Sequence, residues 1–198
     1  LNMKTYAKPR TLTVSRLSSL QGDGKIYLDD AFQSNTRWGI RTKQTYIASV
    51  LEGRAITPIT LGKISSLRDT VEREYGYEHE DFKYFSSLLD SGFEWITIDG
   101  NNRDNTLCEF LNGEFPLQEN EYRIDYNNLS VFNATKETKY FGDLSPDVQK
   151  YISDIQLNIL EVIQSDRKGL AVLFSNINEG VPLNDQEKRN AIPSRMGN

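Results

Sequence analysis

Apolar positions along this chain follow two periods, one helical and one of strands. Tyr46, Ile47, Val50 and Leu51 fall at i, i+1, i+4 and i+5, which gives a helix over residues 42–51 one apolar face, with Gly53 as its stop. Residues 56–64 are β-rich and predict a strand, with Pro58 at its beginning or on an edge. A charged helix over 65–75 and a second over 82–89 follow, and His79 falls in the polar loop between them. Residues 94–98 form a compact β-prone run, and 102–111 read as a helix with Leu107, Phe110 and Leu111 on one side, ended by Asn112 and Gly113. Short strands are expected at 122–125 and 129–132. Ser145 and Pro146 suit the N-cap and first position of a short helix. Residues 155–163 alternate as a strand, Asp166 caps a helix to about residue 177, 178–183 make a turn, and a last helix starts at 184. Residues 1–30 are polar and uneven, with turn signals at Gly22, Asp23 and Gly24. They read as an arm plus a short strand at 25–28. The sum is a mixed α+β domain over 29–198 without clean βαβ alternation, preceded by an arm over 1–28.

Composition narrows the class. A chain of 198 residues can bury one sizeable core. No stretch approaches the roughly 18 apolar residues of a membrane helix, and the first residues lack an apolar signal-peptide core. The single cysteine, Cys108, excludes an internal disulfide and a cysteine-rich zinc site, and a cytoplasmic location is the expectation. A net charge of −5 argues against a simple non-specific DNA binder. Arg37, Arg41, Lys43, Arg54 and Lys63 give a local positive bias that reads as a solvated face.

The chemistry concentrates at Asp99-Gly100-Asn101-Asn102-Arg103. A strand delivers Asp99 to its C-terminal end, and Gly100 permits a tight turn. The helix that follows aims unpaired backbone N–H groups and its positive dipole end back at that turn, a combination suited to an anion. Arg103 adds a fork of donors that fits phosphate. Asn101, Asn102, Asn105 and Thr106 add hydrogen-bonding groups, and Asp99 is suited to hold Mg²⁺ or to position a water. The plainer alternative is that Asp99 caps the helix and Arg103 pairs with a surface acid.

Two further segments carry a resemblance. Gln33 and Trp38 stand in the first; Asp99, Gly100, Arg103, Thr106 and Leu107 in the second; Phe174, Asn178, Gly180, Pro182, Leu183 and Glu187 in the third. In this order they resemble the N-terminal domain of the GmrSD-type restriction endonuclease family (domain of unknown function 262). Its members show Gln-Arg-x-x-x-Trp, then Asp-Gly-Gln-Gln-Arg-x-x-Thr-Leu, then Phe-x-x-x-Asn-x-Gly-x-Pro-Leu-x-x-x-Glu. Nearly the whole chain is covered, from about residue 29 to 191. Ser34 stands where the family has arginine, a charge Arg37 is near enough to supply, and Asn101 and Asn102 replace paired glutamines.

The resemblance implies a ParB/sulfiredoxin-like fold that binds a nucleoside triphosphate with Mg²⁺ and hydrolyses it in some members. It implies coupling to DNA cleavage by an HNH nuclease domain, in conflict between phage and host. Asp99, Arg103 and Glu187 then become the catalytic candidates. Gln33, Arg37, Gly100, Asn101, Asn102, Asn105, Thr106 and Asn178 become the nucleotide-binding ones. Glu187 is also read as a capping-box acid. His79 lacks the partners of an HNH site, so the chain is expected to be part of a longer protein, with DNA contacted here or by a further domain. The competing reading is a non-enzymatic module that recognises nucleic acid, a modified base or a partner protein. No phosphate-binding P-loop and no Gly-x-Ser-x-Gly elbow occurs. Cys108, Trp38 and Trp95 are expected to pack in the core, with base stacking as the alternative for Trp38.

Overall fold

The computed structural model describes residues 3–33, 36–54, 56–126, 129–134 and 140–180. β1 (Tyr6–Thr13), β2 (Ile26–Leu28), β3 (Ile59–Lys63), β4 (Trp95–Asp99) and β7 (Gln156–Gln164) make one mixed sheet in the order β1-β7-β3-β4-β2. β3 lies at its centre, antiparallel to β4 and parallel to β7. β2 runs parallel to β4, and β1 pairs antiparallel with β7. β5 (Glu121–Tyr126) and β6 (Leu129–Asn133) form a separate antiparallel pair. The helices are α1 (Val14–Gly22), α2 (Ile40–Leu51), α3 (Ile64–Tyr75), α4 (Glu80–Asp90), α5 (Asn101–Leu111), α6 (Pro146–Asp154) and α7 (Arg167–Asn178). The fold is α+β, as the sequence predicts.

Strand alternation sorts the core into two layers. Ile59, Leu61, Trp95, Leu157 and Ile159 face α1, α2, α5 and α6. Ile96, Ile98 and Val162 face α3, α4 and α7 on the other side. Among the described residues no helix is long and apolar enough to cross a membrane.

Residues 3–28 correct the expectation of an arm, while the short strand expected at 25–28 is β2. Residues 6–13 are a strand of the main sheet, and residues 14–22 are a helix that buries Val14, Leu17 and Leu20. β1 is hard to see in sequence because it is an edge strand. It buries only Ala7 and Leu12, and its exposed Lys8, Pro9 and Arg10 are the residues that protect a free edge from further pairing. Thr13 caps α1 by accepting from the Arg16 N–H, so a start signal stood in the sequence, obscured by the serines between the apolar positions.

The remaining elements fall where the pattern puts them. Gly53 takes φ +65° just past α2, Ser145 caps α6 with Pro146 in its first turn, and Asp166 caps α7 through the Gly169 N–H. His79 ends the expected loop as the N-cap of α4, its Nδ1 accepting from the Asp81 N–H at 3.2 Å. Cys108 and Trp95 are buried as expected. The basic bias is spread among separate partners: Lys43 pairs with Glu109, Arg54 with Glu52 at 2.5 Å, and Lys63 lies over the Trp95 ring, while Arg37 and Arg41 are exposed. Ser34, the helix expected from residue 184, and Pro182, Leu183 and Glu187 lie outside the described residues.

Candidate functional site

The site is built on the end of a buried strand. Trp95, Ile96, Thr97 and Ile98 are all buried, which fixes where Asp99 emerges. The chain turns sharply at Gly100 (φ +96°, ψ 18°) and enters α5 directly. A Cβ there would lie 3.1–3.3 Å from three atoms of Ile59, one of them backbone. Conformation and space both select glycine. Gly100→Ala is expected to cost about 1–3 kcal/mol, the range for a non-glycine residue held left-handed. Urea denaturation would measure it, and unchanged stability would refute this account of the turn.

No side chain caps α5. The backbone N–H groups of Asn101, Asn102 and Arg103 therefore have no acceptor inside the helix, and its positive end is open. Asp104 is the first residue to close the ladder, donating its N–H to the Gly100 carbonyl at 2.9 Å.

Asp99 and Arg103 pair with each other. Arg103 Nη2 donates to Asp99 Oδ2 at 2.6 Å, with the two side chains 13% and 15% exposed. Arg103 Nη1 donates to the Thr57 carbonyl at 2.6 Å and the Pro58 carbonyl at 3.2 Å. The guanidinium is thus clamped between the end of β4 and the approach to β3. A guanidinium has five N–H donors, and among the described residues these bonds engage three of them. The pairing with an acid is the plainer of the two sequence alternatives, although the pair is mostly buried. Asp99 does not cap α5.

Three distant segments meet at this point. A cleft of about 180 Å³ is lined by Asp99, Gly100, Asn101, Asn102 and Arg103, by Phe32 and Trp38 from the segment before α2, and by Phe174 and Asn178 at the end of α7. Phe32 and Phe174 pack edge-on with centroids 5.6 Å apart, and Trp38 packs edge-on against Tyr46 at 5.4 Å. Asn102 Nδ2 donates to the Thr36 carbonyl at 2.8 Å and so ties the start of α5 to the first segment. Behind Trp38 the Tyr46 hydroxyl is buried without a hydrogen-bond partner among the described residues, and burial pushes its pKa up to about 12.

Four nucleotide-binding candidates line this cleft, Gly100, Asn101, Asn102 and Asn178, whereas Arg37, exposed and next to Trp38 in sequence, is not among its lining residues. Gln33 points to Asp30, to which its Nε2 donates at 2.8 Å. Asn105 lies one turn along from Asn101 and is not among the cleft's lining residues; it accepts from Gln21 Nε2 and donates to Asn101 Oδ1. Thr106 is fully buried and returns its hydroxyl to the Asn102 carbonyl. Asn105 and Thr106 therefore brace α5 and do not line the cleft. Of the aromatic walls, Trp38 had base stacking only as its alternative role, Phe174 stood in the third segment without a binding role, and Phe32 precedes the first segment. Among the described residues no group of three or more His, Cys, Asp or Glu side chains is placed to hold a metal ion. Among the described residues Asp99 is the one carboxylate lining the cleft.

Asp104 lies behind the cleft on the same helix turn, 1% exposed. Burial pushes its carboxyl up to about 7, partly opposed by the Cys108 thiol, which donates to Oδ1 at 3.7 Å. Burial, and then Asp104, push the Cys108 thiol up to about 12, so it is no nucleophile at neutral pH. Set against family models, curated proteins and solved structures, the chain matches none of them.

Proposed function

We propose that this cleft binds the phosphates of a nucleoside triphosphate, in a domain that serves DNA targeting in the manner of the GmrSD-type N-terminal domain with its ParB/sulfiredoxin-like fold. One observation carries the reading: three segments far apart in sequence, each quoted for the resemblance, line one cleft at an uncapped helix start. The first-turn N–H groups of α5 and the free donors of Arg103 would receive phosphate oxygens. Asn101 and Asn102 would add neutral donors, and Trp38 would offer a ring face beside them. Mg²⁺ commonly takes one or two carboxylates together with substrate phosphates, so Asp99 with the bound nucleotide is a suitable donor set. Asp99 would have to exchange its Arg103 partner for that role.

The same ion pair favours a second reading, in which the cleft recognises its ligand without turnover. Thermal unfolding and phosphate release, followed with each nucleoside triphosphate with and without Mg²⁺, separate the two. At a nucleotide concentration 100 times Kd, binding to the native state adds about 2.7 kcal/mol, which raises Tm by about 5–10 °C for a chain of this size. Stabilisation with phosphate release supports hydrolysis, and stabilisation alone supports recognition. No stabilisation by any nucleotide overturns both.

A further inference from the structure

A second cavity of about 250 Å³ lies beside the cleft, formed by Phe32, Tyr84, Ile96, Leu170 and Ala171, with Arg167 at its rim. Phe32 lines both spaces. The two are laid out along one face of α7, because Arg167, Ala171, Phe174 and Asn178 recur at i, i+4, i+7 and i+11. The first two of these line the cavity and the last two the cleft. From Ala171 to Asn178 the helix rises about 10 Å, a reach suited to one elongated ligand.

The chemistry of the two spaces differs as the two ends of a nucleotide differ. The cleft offers N–H groups, amides and a guanidinium. The cavity offers mainly rings and aliphatic carbons, with Asp29, Arg167 and Lys168 also in its lining. Its Tyr84 ring is held in place, the hydroxyl donating to Asp29 Oδ2, and the Arg167 guanidinium lies 4.2 Å from the ring centroid. Tyrosine, phenylalanine and a guanidinium plane are the groups on which bases stack irrespective of sequence.

We propose that this cavity receives the base of the nucleotide whose phosphates sit at the start of α5. The inference rests on the phosphate-binding reading above. Its test is calorimetric titration of ATP, GTP, CTP, UTP and inorganic tripolyphosphate into the wild-type chain and into Ala171→Trp. Ala171 is exposed on the cavity wall, so the larger side chain fills the space without entering the core. Ala31 also lines the cavity, so Ala31→Leu narrows it and serves as an independent blockade, with Tm reporting that both variants fold.

At least one nucleotide should bind wild type about tenfold or more tighter than tripolyphosphate, the gain expected from stacking one base. Both variants should erase that advantage and leave tripolyphosphate affinity unchanged. If tripolyphosphate binds as tightly as every nucleotide, or the advantage survives both variants, the base site is refuted and the phosphate site stands. If neither tripolyphosphate nor any nucleotide binds, the phosphate site is refuted and the base site with it.

Discussion

Arg103→Ala is expected to abolish nucleotide binding and to lower the free energy of unfolding by about 3 kcal/mol, the cost of stranding one partner of a mostly buried ion pair. The substitution leaves the Asp99 carboxylate without its cation, and the Thr57 and Pro58 carbonyls without their donor. It also empties the centre of the phosphate site. Urea denaturation and nucleotide titration read the two losses separately. Asp99→Asn is the informative partner, because it keeps the shape of the turn and releases Arg103 from its counter-charge. Phosphate affinity should hold or rise in Asp99→Asn, while any Mg²⁺-dependent phosphate release should disappear. Unchanged nucleotide affinity in Arg103→Ala would remove the arginine from the site.

The second large effect belongs to Asp104, whose carboxyl is pushed up from 3.8 to about 7 by burial. The folded chain therefore keeps a proton that the unfolded chain gives up. Its favourable contribution is complete below about pH 4 and is lost as the pH rises through 7. The slope approaches 1.4 kcal/mol per pH unit, or about 4 kcal/mol over the window. Asp104→Asn, nearly isosteric and uncharged, should flatten that slope and be more stable than wild type at pH 8. Other carboxylates titrate in the same range, so the quantity to measure is the difference between wild type and variant in urea at pH 4.5 and pH 7.5. A difference independent of pH would show that Asp104 is not the group responsible.

The turn at Asp99 and Gly100 could be read from sequence because its signals are local. A β-prone run, a glycine and a helical apolar face adjoin within about twenty residues, and each has its own physical cause. The cleft's other walls were legible only through the order of the motifs. Nothing in the spacing of Phe32, Trp38 and Phe174 says that they meet, since that depends on packing across the sheet. Gln33, Asn105 and Thr106 show the opposite limit. Each is a polar residue of the right kind in the right segment, yet Gln33 turns to Asp30, Asn105 bonds to Gln21 of α1 and to Asn101, and Thr106 is buried against its own helix. β1 escaped because edge strands carry little apolar signal, and its identity depends on a partner near the other end of the chain.

That partner shapes how the chain reaches its native state. Among the described residues β1 lies at the end of the sheet and pairs only with β7, with Lys8 opposite Glu161, about 150 residues away. β7 also supplies the parallel neighbour of β3. During synthesis the first strand therefore waits, unpaired, until nearly all of the described chain has been made. Closing so long a loop costs entropy before any contact repays it, which makes sheet completion a late and comparatively slow event. Until then, Lys8, Pro9 and Arg10 give the waiting strand charge and a missing N–H that discourage pairing with neighbouring chains.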